Sequence, residues 1–258
     1  MGTEVPVSEK SGAAPGAAFY ARRGGRGADW WTVLHPPYTV WHVSYAVIGA
    51  VLAPHIDWLV LGATALAFFL AVGLAAHALD ELNGRPLGTA ITKRVLWLVA
   101  IVSLALAVAL GVVTVSRSGL VLIPFIVIGV VLVLAYNLEL FGGRLHTDLG
   151  FAAAWGGFPV VVGFVAQAPP ARVASILSVV AATASAIALS HAQRRLSTPA
   201  RAIRRRAQDV SGAVTLTDGT RQVLNRDALL APLDGALRTL SYAVPLLAAA
   251  LIFARLAT

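Results

Sequence analysis

The sequence contains no cysteine. That excludes a disulfide framework, a thiolate nucleophile and a zinc–thiolate site. Charge is also scarce: 12% of residues are charged against 58% hydrophobic, and mean hydropathy is +0.78. A soluble domain has no use for so apolar a chain. The apolar runs are long and unbroken, with no alternation, so a β-barrel is excluded too. What remains is an all-α polytopic membrane bundle, in which every backbone N–H and C=O is satisfied within its own helix. Acids are fewer than bases, 12 against 20, for a net charge of +8. In a soluble protein this would point to nucleic acid. Here no nucleic-acid partner is expected, because the bias belongs to cytoplasmic loops of a membrane protein.

Residues 1–32 are Gly/Ala-rich and polar, with Lys10, Arg22, Arg23 and Arg26, and read as a disordered cytosolic tail. No apolar core follows the early basic residues, so no cleavable signal is expected. Trp30 and Trp31 suit the headgroup level. Residues 33–258 read as the transmembrane domain, with seven apolar segments: Tyr38 to Ala53, Trp58 to Leu79, Val95 to Val115, Leu120 to Leu138, Leu149 to Ala168, Val173 to Ser190 and Leu237 to Leu256. Arginine and lysine concentrate in alternate connections. Arg85, Lys93 and Arg94 follow segment two, Arg144 follows segment four, and eight arginines from Arg194 to Arg226 follow segment six. The other side has only Arg117 and Arg172. The positive-inside rule therefore puts the N-terminus in the cytoplasm and the C-terminus outside a cell membrane.

The stretch 191–234 reads as a cytosolic insertion. Within it, Ala200 to Asp209 has a basic helical pattern suited to anionic headgroups. Val214 to Leu224 carries Asp218-Gly219 between β-prone flanks, a hairpin signal, and Asn225 can cap the helix that follows. A faint repeat is also visible. Segment one ends in GAVLAP at Pro54 and segment five in GFVAQAP at Pro169; His77 lies 23 residues after the first proline and His191 lies 22 after the second. This pattern predicts a duplicated four-helix unit, its second copy short by one helix.

The chemistry concentrates in the polar stretch Ala76 to Arg94. His77, Asp80 and Glu81 stand at i, i+3 and i+4 and share one helix face; Asn83, Gly84, Arg85 and Pro86 then end the helix. Asp80 and Glu81 can ligate a magnesium ion or move a proton, or they can pair with Arg194 and Arg195 across the bundle. His77 and His191 are candidate bases, or hydrogen-bonded interfacial histidines. Arg194 and Arg195 can hold a diphosphate in a bidentate fork, or simply anchor the cytosolic side. A second cluster on the same side comprises Asn137, Glu139, His146 and Asp148; Asp148 is placed either to join a metal site or to favour a helix N-terminus.

With these stretches in place, the chain resembles the UbiA-type intramembrane prenyltransferase superfamily. LHPPYTVWHVSYAVIGAVLA, from Leu34 to Ala53, is similar to that family's first helix. AHALDELNGRP occupies the place of the aspartate-rich NDxxDxxxD motif. LAYNLELFGGRLHTDLGFAAAWGGFPVVVGFVAQ, from Leu134 to Gln167, is similar to the helix 4–5 region with its tyrosine and glycines. The motifs are degenerate: Ala76, His77, Asp80 and Gly84 stand where the first motif has its polar residues, and SHAQRRLSTPAR replaces the second without any acid. The resemblance implies a prenyltransferase or terpene cyclase acting on a prenyl diphosphate at a cytosol-facing cavity. It implies magnesium, held here by Asp80, Glu81 and Asp148, with Asp80, Glu81 and His77 catalytic. Asn83, Arg85, Asn137, Glu139, His146, His191, Arg194 and Arg195 would bind substrate. The alternative is a non-catalytic protein that binds or moves a lipid or isoprenoid, with Asp80 and Glu81 ion-paired to Arg194 and Arg195.

Overall fold

Helix follows helix wherever the apolar segments fall. The computed structural model describes residues 17–22, 24–168 and 172–257. Helix α1 spans Gly25–Leu34 and α2 spans Pro36–Val51. Then come α3 (Trp58–Leu82), α4 (Lys93–Ser118), α5 (Leu120–Asn137), α6 (Asp148–Ala166) and α7 (Val173–Arg206). A hairpin of β1 (Gly212–Thr215) and β2 (Arg221–Leu224) leads to α8 (Arg226–Leu256). Six of these, α3 to α8, are long and apolar enough to cross a membrane. The first predicted segment lies on α2, an apolar helix of 16 residues.

Local chemistry sets most helix starts. Asp57 accepts from the amides of Leu59 and Val60, Thr92 from Val95, Thr147 from Gly150 and Asn225 from Ala228. Pro36 opens α2, where its missing N–H costs nothing. Leu216 to Thr220 form the turn of the predicted hairpin, with Gly219 at positive φ.

Helices α2 and α6 run parallel and touch through their backbones. A Cβ on Gly49 would fall on the carbonyl oxygen of Val160, and one on Gly163 would fall on that of Ala46. The contact is reciprocal: each glycine meets the carbonyl three residues before the other. These are the glycines that open GAVLAP and GFVAQAP, so the faint repeat has a physical counterpart in this contact. Small residues at such a crossing let dispersion act at backbone distance, which drives helix association in lipid.

Three features differ from the sequence expectations. First, the expected tail is partly structured. Residues 1–16 lie outside the described residues, but Gly25–Leu34 is helical. Arg22 stacks over Trp31 at 3.7 Å, Trp31 donates to the carbonyl of Tyr20, and Asp29 accepts from the amide of Ala90. Second, the basic stretch after Pro199 is no separate surface helix but the end of α7, which continues unbroken to Arg206. Pro199 and Arg195 are both exposed, so water can take the carbonyl of Arg195 that the proline leaves free. Third, α3 and α6 each contain a π-helical turn, Phe69–Ala76 and Ala152–Gly157. No residue type announces these turns.

Candidate functional site

One end of the bundle holds a cavity of about 450 Å³. Its walls come from the chain before α1, the α1–α2 junction, α2, the end of α3, the α5–α6 connection, α6 and α7. Beside it, between α3, α4, α5 and α6, is an apolar pocket of about 100 Å³, lined by Ala67, Phe68, Leu104, Phe125, Ile126 and Phe158 among others. Val72 and Trp155 line both. These two side chains sit on the π turns of α3 and α6.

Within α3, neighbouring residues turn to different tasks. His77 and Asp80 line the cavity. The Asp80 carboxylate makes no hydrogen bond or ion pair among the described residues, and Arg201 is the foremost of the charges acting on it. Glu81 is wholly buried, at 0% exposure, and does not line the cavity. Its carboxylate accepts from the amides of Leu87 and Thr89 and the hydroxyl of Thr89, each at 2.9 Å. It therefore anchors the loop that follows α3. Arg85 serves the same loop, donating to the carbonyls of Thr89 and Ile91 at 2.8 and 2.7 Å. Asn83 donates to the carbonyl of Asn137. Of the expected group in this stretch, only His77 and Asp80 reach the cavity.

Histidines and tyrosines make up much of the wall. His35, held at φ 49 where α1 gives way to α2, stacks on His77 with ring centroids 4.2 Å apart. The His35 Nδ1 lies 2.6 Å from the carbonyl of Val33, and its ring faces Tyr20 at 5.3 Å. Burial, and then the His77 ring, hold His35 well below the ordinary imidazole range. Burial likewise pushes the Tyr20 phenol up. Deeper in, the His42 Nδ1 lies 2.8 Å from the carbonyl of Trp155, tying α2 to α6.

The second predicted cluster is split. Asn137, Glu139 and His146 line the cavity. His146 stacks on Tyr136 at 4.5 Å and lies 4.0 Å from the Glu139 carboxylate. Asp148 instead pairs with Arg194 at 3.1 Å, while Arg194 itself faces the cavity over Phe151. His191 and Arg195 do not line it; Arg195 is exposed. The expected pairing of Asp80 and Glu81 with Arg194 and Arg195 is therefore not the one that forms. The loop amides take Glu81, and Asp148 stands nearer to Arg194.

The largest omission from the sequence expectations is the far end of α7. Arg201, Arg204, Arg205 and Arg206 line the cavity. Arg204 is spent on Asp234 of α8, with which it forms a closely held ion pair. Arg201 and Arg205 have no carboxylate partner among the described residues; Arg201 donates only to the Thr198 hydroxyl, at 3.4 Å. The signal was available in the spacing. Gln193, Ser197, Ala200 and Arg204 form one helical stripe, and Arg194, Arg201 and Arg205 lie beside it, once the helix is read through Pro199. Tyr136 and Gln193 also line the cavity, and the Tyr136 hydroxyl and the Gln193 carboxamide oxygen, both sealed from solvent, have no partner among the described residues.

This donor set does not fit a resident magnesium ion. Glu81 is saturated by the loop and Asp148 is paired with Arg194, which leaves Asp80 alone of the three expected ligands. Among the described residues no three His, Asp or Glu side chains gather as a metal site would require. No family model matches the chain, and neither a curated protein nor a solved structure matches it.

Proposed function

We propose that the protein is an integral-membrane handler of prenyl diphosphates, with the phosphorylated head in the polar cavity and the hydrocarbon chain in the apolar pocket. The observation that carries this reading is the shared wall: Val72 and Trp155 separate a basic cavity from an apolar pocket that opens among membrane helices. A single molecule with an anionic head and an isoprenoid tail matches that sequence of environments. The arginine bias supports a cytosolic position for the cavity.

As an enzyme it would ionise the allylic C–O bond. The bonding pair leaves with the diphosphate, whose growing charge the guanidinium groups of the cavity stabilise. The carbocation is then captured by an acceptor nucleophile, or loses a proton within the same chain. Asp80, unpaired and beside His77, is the group placed to take the released proton.

The test is to incubate purified protein with farnesyl diphosphate, with and without an aromatic acceptor, and to measure both binding and diphosphate release. Absence of binding at micromolar ligand under every condition would overturn the reading. A second reading, a non-catalytic lipid or isoprenoid binder, is favoured by Asp80 being the one acid on the cavity wall, among the described residues, without an ion-pair contact. It is recognised by tight binding without any diphosphate release.

A further inference from the structure

We infer that the cavity holds a phosphate or diphosphate head directly, through Arg201, Arg205, Tyr136 and Gln193, with no divalent cation between protein and ligand. This rests on the reading that the cavity takes a phosphorylated amphiphile, and it specifies how that head is recognised. The charge at the site runs the wrong way for a metal bridge. Among the described residues five arginines line the cavity, Arg194, Arg201, Arg204, Arg205 and Arg206, against the carboxylates of Asp80 and Glu139. A divalent ion would need acidic oxygens that are engaged elsewhere: Glu81 by the loop, Asp148 by Arg194 and Asp234 by Arg204.

The basic groups, in contrast, are poised for an anion. Arg201 is partly buried and Arg205 stands at the mouth, one helical turn apart on α7, so both guanidinium groups can converge on one bound group. A guanidinium offers phosphate oxygens two parallel donors, which an ammonium cannot. Among the described residues the Tyr136 hydroxyl has no partner although the residue is only 6% exposed; the Gln193 carboxamide oxygen is likewise unpartnered, with the residue at 3%. Buried polar groups are normally satisfied, and these two belong to residues of the cavity wall, so a modest side-chain rotation on ligand entry would give each a partner. The hydroxyl of Tyr136 and, with its amide turned, the Nε2 of Gln193 would donate to the same anion.

The experiment measures binding of farnesyl diphosphate to the full-length protein in nanodiscs, in EDTA and again in excess magnesium. The inference expects affinities within about threefold of each other under the two conditions. Arg205→Gln, an exposed side chain that the fold does not need, should weaken binding about ten- to a hundredfold in EDTA. Tyr136→Phe should weaken it less, and Arg195→Gln, outside the cavity, should leave it unchanged. Binding seen only with magnesium would overturn metal-free recognition and leave the proposed function standing. No binding in either condition would instead remove the proposed function itself. Farnesol bound as tightly as farnesyl diphosphate would show that the head is not read and would also overturn the inference. Inorganic diphosphate binding as tightly as the prenyl ester, and losing affinity in Arg205→Gln, would support metal-free recognition and identify a free anion as the ligand.

Discussion

Two adjacent carboxylates at the end of α3 do opposite work. Glu81 is sealed and accepts three hydrogen bonds, each charge-assisted and worth about 1.5–3 kcal/mol when removal leaves its donors unmatched. Glu81→Gln should therefore lower the thermal unfolding temperature by several degrees and expose the loop at 84–92 to protease. Asp80→Asn removes a charge with no hydrogen bond of its own, so the unfolding temperature should stay nearly constant while any turnover of a prenyl diphosphate falls. Matched losses of stability in the two variants would contradict this division. His35 gives a pH signature. Its folded pKa is depressed by burial and by His77, with Arg201 and Arg205 adding to the effect, so the unfolded chain takes up the proton first. This contribution to stability is complete above the unfolded value of 6.5 and is lost as pH falls below it, by up to about 1.4 kcal/mol per unit. Unfolding curves of His35→Gln should be flatter than the parent between about pH 6.5 and 5 by part of that slope. At this scale the sequence told which stretch was reactive, since the spacing of His77, Asp80 and Glu81 is helical whatever surrounds them. It did not tell which carboxylate faced inward. That depended on loop amides at Leu87 and Thr89, whose direction is a tertiary fact.

At the scale of elements, hydrophobicity and capping residues were enough to place the helices. All seven predicted segments fall on α2 to α8, and Asp57, Thr92, Thr147 and Asn225 cap where short polar side chains should. The reading failed at α7, where the apolar segment ends at Ser190 and Ala200 to Asp209 reads as a separate surface helix, whereas one helix runs through Pro199 to Arg206. That continuation moves Arg201 and Arg205 from the membrane surface into the cavity wall, and with it much of the candidate site was hidden. The α2–α6 crossing gives a sharper test. Gly49→Ala or Gly163→Ala would drive a methyl group into a backbone carbonyl, and each should destabilise the protein by about 1–3 kcal/mol or more. Gly62→Ala, with open space around it in α3, should be neutral or stabilise by up to about 1 kcal/mol. Thermal unfolding of the three proteins in detergent makes the comparison. Equal behaviour of Gly49→Ala and Gly62→Ala would mean that the crossing is not tight.

For the whole molecule, the absence of cysteine makes the orientation directly measurable. A single cysteine at Thr220, in the hairpin turn, should react with an impermeant maleimide only when the cytosolic face is exposed. One at His55, between α2 and α3, should react from outside in intact cells. The reverse labelling would invert the topology and place the cavity on the outer face. The reciprocal contact of Gly49 and Gly163 has a mechanical consequence for the cavity. α2 and α6 both start at the cavity end, and their backbones meet four to eight residues farther along than the His42–Trp155 tie, about 6–12 Å by helical rise. A contact between bare backbones leaves no side chain to rearrange, so sliding there would meet a carbonyl at once. The two helices thus behave as the legs of a compass joined below the cavity. A small rotation about that joint is amplified at the mouth, where Tyr38 and Asp148 stand. Widening for a bulky ligand would then break the contacts of His42 with Trp155 and Phe151 while the joint stays closed.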